Sequence, residues 1–211
     1  MLMNHYKWVA WGDSLTYGYG LLESQKWTSI VGNKFGVDIC NFGVSGSTSV
    51  EAAETLTNII EMKPELVFLN FGTNDATRNS SGNYKTELNV FHTTMNNYVQ
   101  ALSKHGIRVF LITPHHVIEG DKDHFYLSRH HQGGYNEQIT PNGDIKRFVD
   151  SVKEIALLNS ALCIDLYNDE TMQEVEKTLM LENNDGVHYS SYGATYVASQ
   201  VIKILNKEKI Q

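Results

Sequence analysis

Five short apolar segments rich in β-forming residues recur along the chain, and amphipathic helical patterns lie between them. Such segments are typical of buried strands, and they predict strands near Lys7–Trp11, Val37–Phe42, Leu66–Phe71, Ile107–Thr113 and Leu162–Leu166. Strands that alternate with helices form a parallel sheet with right-handed crossovers and helices on both faces. The sequence therefore predicts an α/β fold of three layers around a five-stranded parallel sheet.

Three helices are predicted from apolar residues that recur at helical spacing. Their apolar faces are Leu88, Phe91, Met95, Val99 and Leu102; Ile145, Phe148, Val149, Val152 and Ala156; and Val197, Val201 and Leu205. Gly106 is a suitable C-terminal cap for the first of these helices. A capping box at Thr48 and Glu51 predicts a further helix that begins just after Gly46.

Composition limits the size and the partners of this domain. The chain has 211 residues, of which 41% are hydrophobic, and its net charge is −7 at pH 7. We expect a single domain over residues 1–211 with a sizeable core. We expect no nucleic acid as a partner, because the chain is acidic and its basic residues do not cluster. Cys40 and Cys163 suggest no disulfide framework.

No apolar run approaches the ~20 residues of a membrane span, so we expect no transmembrane segment. The first residues, MLMNHYKWVAW, lack the order of basic, long apolar and small residues that marks a signal peptide. A cytoplasmic protein is therefore expected, unless a leader has been removed.

Residue types that carry chemistry follow the first three predicted strands and recur near the C-terminus. The segments are GDSL at Gly12–Leu15, NFGVSGSTS at Asn41–Ser49, GTND at Gly72–Asp75 and DGVH at Asp185–His188. Ligands of parallel sheets bind beyond the carboxyl ends of the strands, so these segments are expected on one rim. That rim would hold a hydroxyl, a histidine, a carboxylate three residues before it, a glycine N–H and an amide side chain. Acyl transfer needs these groups.

The four blocks, with Gly193 beyond the last one, resemble the SGNH hydrolases, also called GDSL esterases and lipases. The resemblance spans most of the chain, and the blocks come in the family's order. It implies a flavodoxin-like sheet of strand order 2-1-3-4-5 and a serine hydrolase that needs no cofactor. The implied roles are Ser14 as nucleophile, His188 as general base, Asp185 as its carboxylate partner, and Ser14, Gly46 and Asn74 as the oxyanion hole.

Each of these residues has a plainer reading when it is considered alone. Serine is a favoured helix N-cap, glycine is common in turns, and asparagine both caps helices and braces turns. Ser14, Gly46 and Asn74 could therefore be structural, and only their combination favours the catalytic interpretation.

A second Asp-x-x-His pair, Asp121 and His124, has the same spacing as Asp185 and His188. We favour His188, because the sequence after it, YSSYGATYVA, predicts a capped helix that can fix its position.

Residues 114–137 form a connection that is too long and too polar for an ordinary strand-to-helix link. Its five histidines, with Asp121 and Asp123, raise the alternative of a metal site. No pair has helical ligand spacing and no Cys/His framework is present, so we predict no metal and favour a polar substrate wall or a subunit contact. The candidate substrate-binding residues are Tyr17, His115, His116 and Tyr135. Tyr19 and Tyr126 could also line a sugar or acyl pocket, but tyrosines on loops also serve plain packing.

The predicted function is a carboxylic ester hydrolase that removes a short acyl group, preferably acetyl, from a carbohydrate. Residues 114–137 favour this substrate, because groups that bind hydroxyls outnumber aliphatic ones there. A lipid or thioester acylhydrolase, such as a lysophospholipase, is the alternative. A non-catalytic carbohydrate-binding relative is a third reading, and the intact Ser14, Asn74, Asp185 and His188 argue against it.

Overall fold

The structure, a computed structural model, describes residues 8–120, 125–130, 135–136, 138–174 and 185–210. Within these ranges the strands form one parallel sheet. They are β1 (Trp8–Gly12), β2 (Ile39–Gly43), β3 (Leu66–Asn70), β4 (Arg108–Ile112) and β5 (Leu162–Ile164), in the order β2-β1-β3-β4-β5. The predicted fold class and strand order are confirmed, and the predicted strand ends differ by at most two residues.

Helices connect the strands and cover both faces of the sheet. They are α1 (Ser14–Tyr17), α2 (Trp27–Phe35), α3 (Thr55–Met62), α4 (Leu88–Lys104), α5 (Phe125–Arg129), α6 (Pro141–Leu158), α7 (Glu170–Glu174) and α8 (Ser191–Lys207). The apolar faces predicted for α4, α6 and α8 are the faces that pack against the core. None of the helices that the structure describes is both long and apolar enough to cross a membrane.

The two faces of the sheet bury separate hydrophobic clusters. Side chains alternate along β1, so Val9 and Trp11 join a cluster with α4 and α6, while Trp8 and Ala10 join a cluster with α2 and α8. Both β1 and β3 are buried along their whole length, as is typical of parallel strands covered on both sides. This packed centre holds the loops at the carboxyl ends of the strands.

The connection between β2 and α3 differs in one respect from the prediction. The capping box is formed: the Thr48 N–H donates to the Glu51 carboxylate at 2.8 Å, and the Glu51 N–H donates to the Thr48 hydroxyl at 3.3 Å. A 3₁₀ turn, Glu51–Glu54, follows the box, and α3 begins only at Thr55. The tighter i→i+3 bonds of that turn occupy residues that the sequence pattern assigns to the α-helix. The α-helix therefore starts later than predicted.

Candidate active site

Ser14 lies where the chain leaves β1, at the first residue of the short helix α1. The cap of this helix is Asp13, whose carboxylate accepts the Leu15 N–H at 2.9 Å, so the reading of Ser14 as the capping residue is wrong. Gly12 permits the tight turn, because a Cβ at this position would overlap the carbonyl oxygen of Asn70. The Ser14 hydroxyl is thereby held at the carboxyl end of the sheet.

Three side chains that are distant in sequence form one hydrogen-bonded chain. His188 Nε2 lies 2.8 Å from Ser14 Oγ, and His188 Nδ1 lies 2.6 Å from a carboxylate oxygen of Asp185. Because an ionised carboxylate can only accept, Nδ1 carries the proton and Nε2 can accept the proton of the Ser14 hydroxyl. The segment that carries this pair ends at the cap of α8, where the Gly193 N–H donates to the Ser190 hydroxyl at 3.1 Å.

The Asp185 carboxylate stays ionised although it is buried. Burial by itself raises its pKa, but hydrogen bonds from the His188 ring, the His188 N–H at 2.9 Å and the Val187 N–H at 2.8 Å outweigh burial and lower the pKa to about 2. A negative charge beside Nδ1 stabilises a positively charged imidazole. The three groups can therefore take a proton from a hydroxyl, hold it and release it.

Gly46 and Asn74 line the same pocket as Ser14 and His188. The Asn74 amide nitrogen donates to the Ser47 carbonyl at 3.1 Å and to a carboxylate oxygen of Asp13 at 3.3 Å, so the nitrogen end of the amide is fixed at this position. Gly46 has a φ of +80°, a left-handed conformation that favours glycine. A glycine N–H and a side-chain amide beside a hydroxyl are the kinds of donor that stabilise an oxyanion.

Two further carboxyl groups, Asp13 and Asp75, are buried beside this cluster. Burial raises the pKa of Asp13 to about 7, although the hydrogen bond from the Leu15 N–H and the nearby His188 oppose the increase. Burial also raises the pKa of Asp75, against hydrogen bonds from the side chain and N–H of Ser49. The Asp185 carboxyl has the opposite shift, because its hydrogen bonds from His188 and Val187 outweigh the effect of burial.

The described residues enclose a pocket of about 150 Å³ around the Ser14 hydroxyl. The other residues that line it are Tyr19, Ser45, Thr73, Thr77, Tyr126, His130, Asp185 and Val187. Thr77, Tyr126 and His130 form one wall and contact one another. The Thr77 and Tyr126 hydroxyls lie 3.2 Å apart, and the centroids of the stacked Tyr126 and His130 rings lie 4.0 Å apart. Tyr19 forms another part of the lining, with its ring 4.4 Å from the His188 ring. The pocket thus mixes hydroxyl, imidazole and aromatic groups.

Within the part of the chain that the structure describes, none of the four predicted substrate-binding residues lines this pocket; they are Tyr17, His115, His116 and Tyr135. Tyr17 is 48% exposed, and the Lys26 ammonium group lies over its ring at 4.8 Å. The Tyr135 hydroxyl accepts the backbone N–H of Arg78 at 3.3 Å.

The two histidines that follow β4 are held by aromatic rings. His115 is buried with its ring 4.8 Å from that of Tyr189, and burial lowers its pKa to about 4. His116 stacks on Tyr167 at 3.9 Å. Their part in binding substrate, like that of Tyr17 and Tyr135, stays a prediction, and the pocket offers other side chains for that role.

Tyr19, Thr77, Tyr126 and His130 line the pocket and are not among the four predicted substrate-binding residues. For Tyr19 and Tyr126 the sequence leaves open both a place in the pocket and plain packing. A signal exists for Tyr19 and Thr77, because Tyr19 follows Ser14 closely and Thr77 follows Asn74 within one turn. Both therefore stay near the rim. Tyr126 and His130 lie in or next to α5, whose five residues are too few for a helical pattern to show which side chains face inward.

The alternative pair of acid and histidine, Asp121 and His124, lies outside the described residues. Over the ranges that are described, no group of three or more His, Cys, Asp or Glu side chains is arranged to hold a metal ion. Of the two Asp-x-x-His pairs, Asp185 and His188 are the pair within the described residues, and His188 is hydrogen-bonded to Ser14.

Among protein-family models, the GDSL-like Lipase/Acylhydrolase model matches residues 9–201, which is most of the chain. Among curated proteins, the "Uncharacterized lipoprotein YqeF" of Bacillus subtilis (strain 168) is 30% identical over 157 residues. The match covers 70% of this chain and 63% of that relative, so the chain spans less than two thirds of the relative's length.

Solved structures share the architecture at low sequence identity. The lipase/acylhydrolase from Enterococcus faecalis is 22% identical with a TM-score of 0.73, covering 95% of both chains. The acetyl xylan esterase AlAXEase is 21% identical with a TM-score of 0.73, covering 94% of this chain and 98% of that one. TesA is 20% identical with a TM-score of 0.68, covering 94% and 97%. At such identities the likeness shows the fold.

Proposed function

This chain belongs to the GDSL-like lipase/acylhydrolase family, and from that premise we propose that it is a serine-dependent carboxylic ester hydrolase. The observation that carries the proposal is the hydrogen-bonded chain from Ser14 to His188 to Asp185, with distances of 2.8 and 2.6 Å. A hydroxyl, an imidazole and a buried carboxylate in this order activate serine on unrelated folds. The site therefore supports the activity more directly than the fold does.

The first half of the reaction forms an acyl-enzyme. Ser14 Oγ bonds to the ester carbonyl carbon while its proton passes to His188 Nε2, and the carbonyl π electrons move to the oxygen. Asp185 keeps the imidazole in the required tautomer and stabilises its positive charge. The bond from the carbonyl carbon to the alcohol oxygen then breaks, and that oxygen takes the proton from Nε2.

The second half repeats these steps with water. His188 takes a proton from the water as the water oxygen attacks the acyl carbon. Collapse of the second tetrahedral intermediate breaks the bond from the acyl carbon to Ser14 Oγ, which takes the proton from Nε2 as the acid is released. In both halves the oxyanion would be met by the N–H groups of Ser14 and Gly46 and by the Asn74 amide. Each such donor typically contributes ~10²–10³ in rate.

The proposed substrate is a short-chain ester, preferably an acetyl ester of a carbohydrate. The pocket volume of about 150 Å³ supports this proposal, because pockets for drug-sized ligands usually have roughly 300–1,000 Å³. Its lining of Thr73, Thr77, Tyr126 and His130 offers polar partners next to the reacting atoms. One relative of the same fold, AlAXEase, is an acetyl xylan esterase.

One observation favours a lipid or thioester acylhydrolase as the second candidate. A larger groove of about 460 Å³ has Ser45 and Gly46 in common with the catalytic pocket and is also lined by Trp11, Phe42 and Val44. Apolar side chains of this kind could cover acyl methylenes, each of which contributes about 0.8 kcal/mol when buried. The Enterococcus faecalis relative is itself a lipase/acylhydrolase. The cytoplasmic location stays a prediction, since the curated relative is named a lipoprotein.

The activity is tested by labelling with a fluorophosphonate probe and by Ser14→Ala. We expect the probe to modify Ser14, as located by peptide mass spectrometry. We expect Ser14→Ala to lose labelling and turnover while keeping its circular dichroism spectrum. The control is Ser47→Ala, because the Ser47 hydroxyl donates to the carbonyl of the neighbouring Thr48 at 3.2 Å. Near-normal turnover by Ser14→Ala would refute the proposal, and failure of the wild type to label or turn over would favour the non-catalytic carbohydrate-binding reading.

Acyl length is tested with nitrophenyl esters from acetyl to octanoyl. We expect kcat/KM to be highest for acetyl or propionyl and to fall by octanoyl, because a pocket of about 150 Å³ can cover only a short acyl chain. A value of kcat/KM that rises steadily to octanoyl would instead support the lipid acylhydrolase and the larger groove as its acyl site.

A further inference from the structure

Tyr19 lies against the imidazole that handles the proton. Its ring centroid is 4.4 Å from that of His188, with 36° between the ring planes, and the residue lines the catalytic pocket. The side chain is nevertheless 42% exposed. One part of the aromatic surface is therefore covered by His188, while another part is open to solvent.

The backbone ties Tyr19 to the nucleophile's own peptide unit. The N–H groups of Gly18 and Tyr19 both donate to the Ser14 carbonyl, at 3.0 and 3.1 Å. Gly18 and Gly20 both have a φ of +77°, so the residue stands between two left-handed glycines. The position of the ring thus follows from the turn that presents Ser14, and not from the long connection after β4.

The chemistry decides which part of an ester meets this ring. His188 Nε2 must reach the alcohol oxygen to protonate it when the acyl-enzyme forms. The alcohol therefore extends from a point within hydrogen-bond distance of the imidazole. The carbonyl oxygen is directed instead to Gly46 and Asn74. Because Tyr19 packs on His188, its free surface lies nearest to the first atoms of the alcohol.

We infer that Tyr19 forms the alcohol-side subsite and selects esters whose alcohol is a ring with an apolar face, such as a pyranose. The inference rests on the proposed function and specifies the substrate class for that site. The C–H face of a pyranose covers an aromatic ring without losing hydrogen bonds, and the phenol hydroxyl can bond to a ring hydroxyl. A small linear alcohol would leave the ring uncovered.

The test compares two acetyl esters, ethyl acetate and acetylated methyl xylopyranoside, on wild type and variants. We expect Tyr19→Ala to lower kcat/KM for the xylopyranoside ester about tenfold more than for ethyl acetate, mainly through KM. Tyr19→Phe should keep most of the preference, because it keeps the ring. Tyr192→Ala is the matched control: Tyr192 is 57% exposed on α8 and lies outside the pocket lining.

Three outcomes would overturn the inference. Equal losses on both esters would mean that Tyr19 only supports His188. A loss caused by Tyr17→Ala and not by Tyr19→Ala would assign the subsite to the neighbouring tyrosine. A changed ratio between ethyl acetate and ethyl butyrate, with the alcohol preference intact, would place Tyr19 on the acyl side. If the wild type hydrolyses neither ester, the proposed function fails before the role of Tyr19 is tested.

Discussion

Asp13 holds a carboxyl group at a place in the site where a negative charge is unfavourable. The group lies next to the nucleophile, is 1% exposed, and has a pKa raised from 3.8 to about 7 by burial. The groups around it are the Leu15 N–H, the Asn74 amide, His188 and the buried Asp75. Its acceptor oxygens hold α1 and Asn74 in place, so the geometry of the site depends on a group that ionises near neutral pH.

This pKa predicts how stability changes with pH. The folded state holds the Asp13 proton more tightly than the unfolded state, so the stabilisation is complete below pH 3.8 and is lost as pH rises towards about 7. The whole shift corresponds to on the order of 4 kcal/mol. We expect Asp13→Asn, which cannot ionise, to show a flatter fall in the free energy of unfolding across this window than the wild type.

Urea unfolding at several pH values measures this slope. The difference between wild type and Asp13→Asn reports the ionisation of Asp13 together with its coupling to the neighbouring Asp75 and His188. Parallel slopes for the two proteins would contradict the raised pKa.

Single residues also show how far the sequence predicts the site. The four blocks were enough to select Ser14, Gly46, Asn74, Asp185 and His188, because residue type, spacing and order agree with one chemistry. No comparable pattern indicates which of Tyr17 and Tyr19 lines the pocket. Gly18, between the two tyrosines, and Gly20, after Tyr19, both have a φ of +77°, and such turns cannot be read from alternation or helical period.

Between the elements, a hydrogen-bonded tie joins the loop after β2 to the loop after β3. Asp75 accepts the Ser49 hydroxyl at 2.7 Å and the Ser49 N–H at 3.0 Å, and the Tyr98 hydroxyl on α4 donates to the Ser49 carbonyl at 2.6 Å. Ser49 follows Gly46, and Asp75 follows Asn74. The tie therefore sets the distance between the two loops that carry the proposed oxyanion donors.

Ser49→Ala tests this tie. Removing the hydroxyl leaves a buried carboxyl group short of one donor, which should cost about 1–3 kcal/mol of the free energy of unfolding. The substitution should also lower kcat while it changes KM little, because the negative charge on the oxygen develops only in the transition state. The matched control is Ser47→Ala in the same loop, whose hydroxyl bonds to Thr48 at 3.2 Å. Denaturant unfolding and steady-state kinetics check both variants, and identical behaviour of the two would contradict a role for the tie.

Elements differed in how well their patterns predicted them. The strands and the helices α4, α6 and α8 were predicted closely, because each buries enough side chains to show its period. The start of α3 was misplaced, since the capping box is followed by a 3₁₀ turn that carries the same sequence signal. The five-residue α5 went unpredicted within residues 114–137, where polar composition hides so short a helix.

At the scale of the whole molecule, the strand order could not be derived from the local patterns. Alternating strands and helices predict a parallel sheet, but the order β2-β1-β3-β4-β5 came from the family resemblance, and the structure confirms it. That order brings the ends of β1, β2 and β3 together, so that Ser14, Gly46 and Asn74 share a pocket. The same order also places β2 and β5 at opposite edges of the sheet.

The distance between the two edge strands can be tested with Cys40 and Cys163. Cys40 pairs with Val9 on β1, and Cys163 pairs with Leu111 on β4, so they lie on the two edge strands. Four strand spacings of about 4.8 Å separate them by roughly 19 Å, whereas a disulfide needs Cα atoms within ~7 Å. Both are free thiols, and burial raises the pKa of Cys163 to about 12 and that of Cys40 above its ordinary value.

We therefore expect two thiols per chain after unfolding without reductant, and slow reaction in the folded state, because the thiolate is the reactive form. Titration with a chromogenic disulfide reagent, before and after denaturant, measures both quantities. Cys163 should react more slowly than Cys40 in the folded protein, since its pKa is raised to about 12, and Cys40→Ser and Cys163→Ser assign the two rates. An intramolecular disulfide, seen as absent thiols and a mass lower by two hydrogens, would be incompatible with cysteines on opposite edges of this sheet.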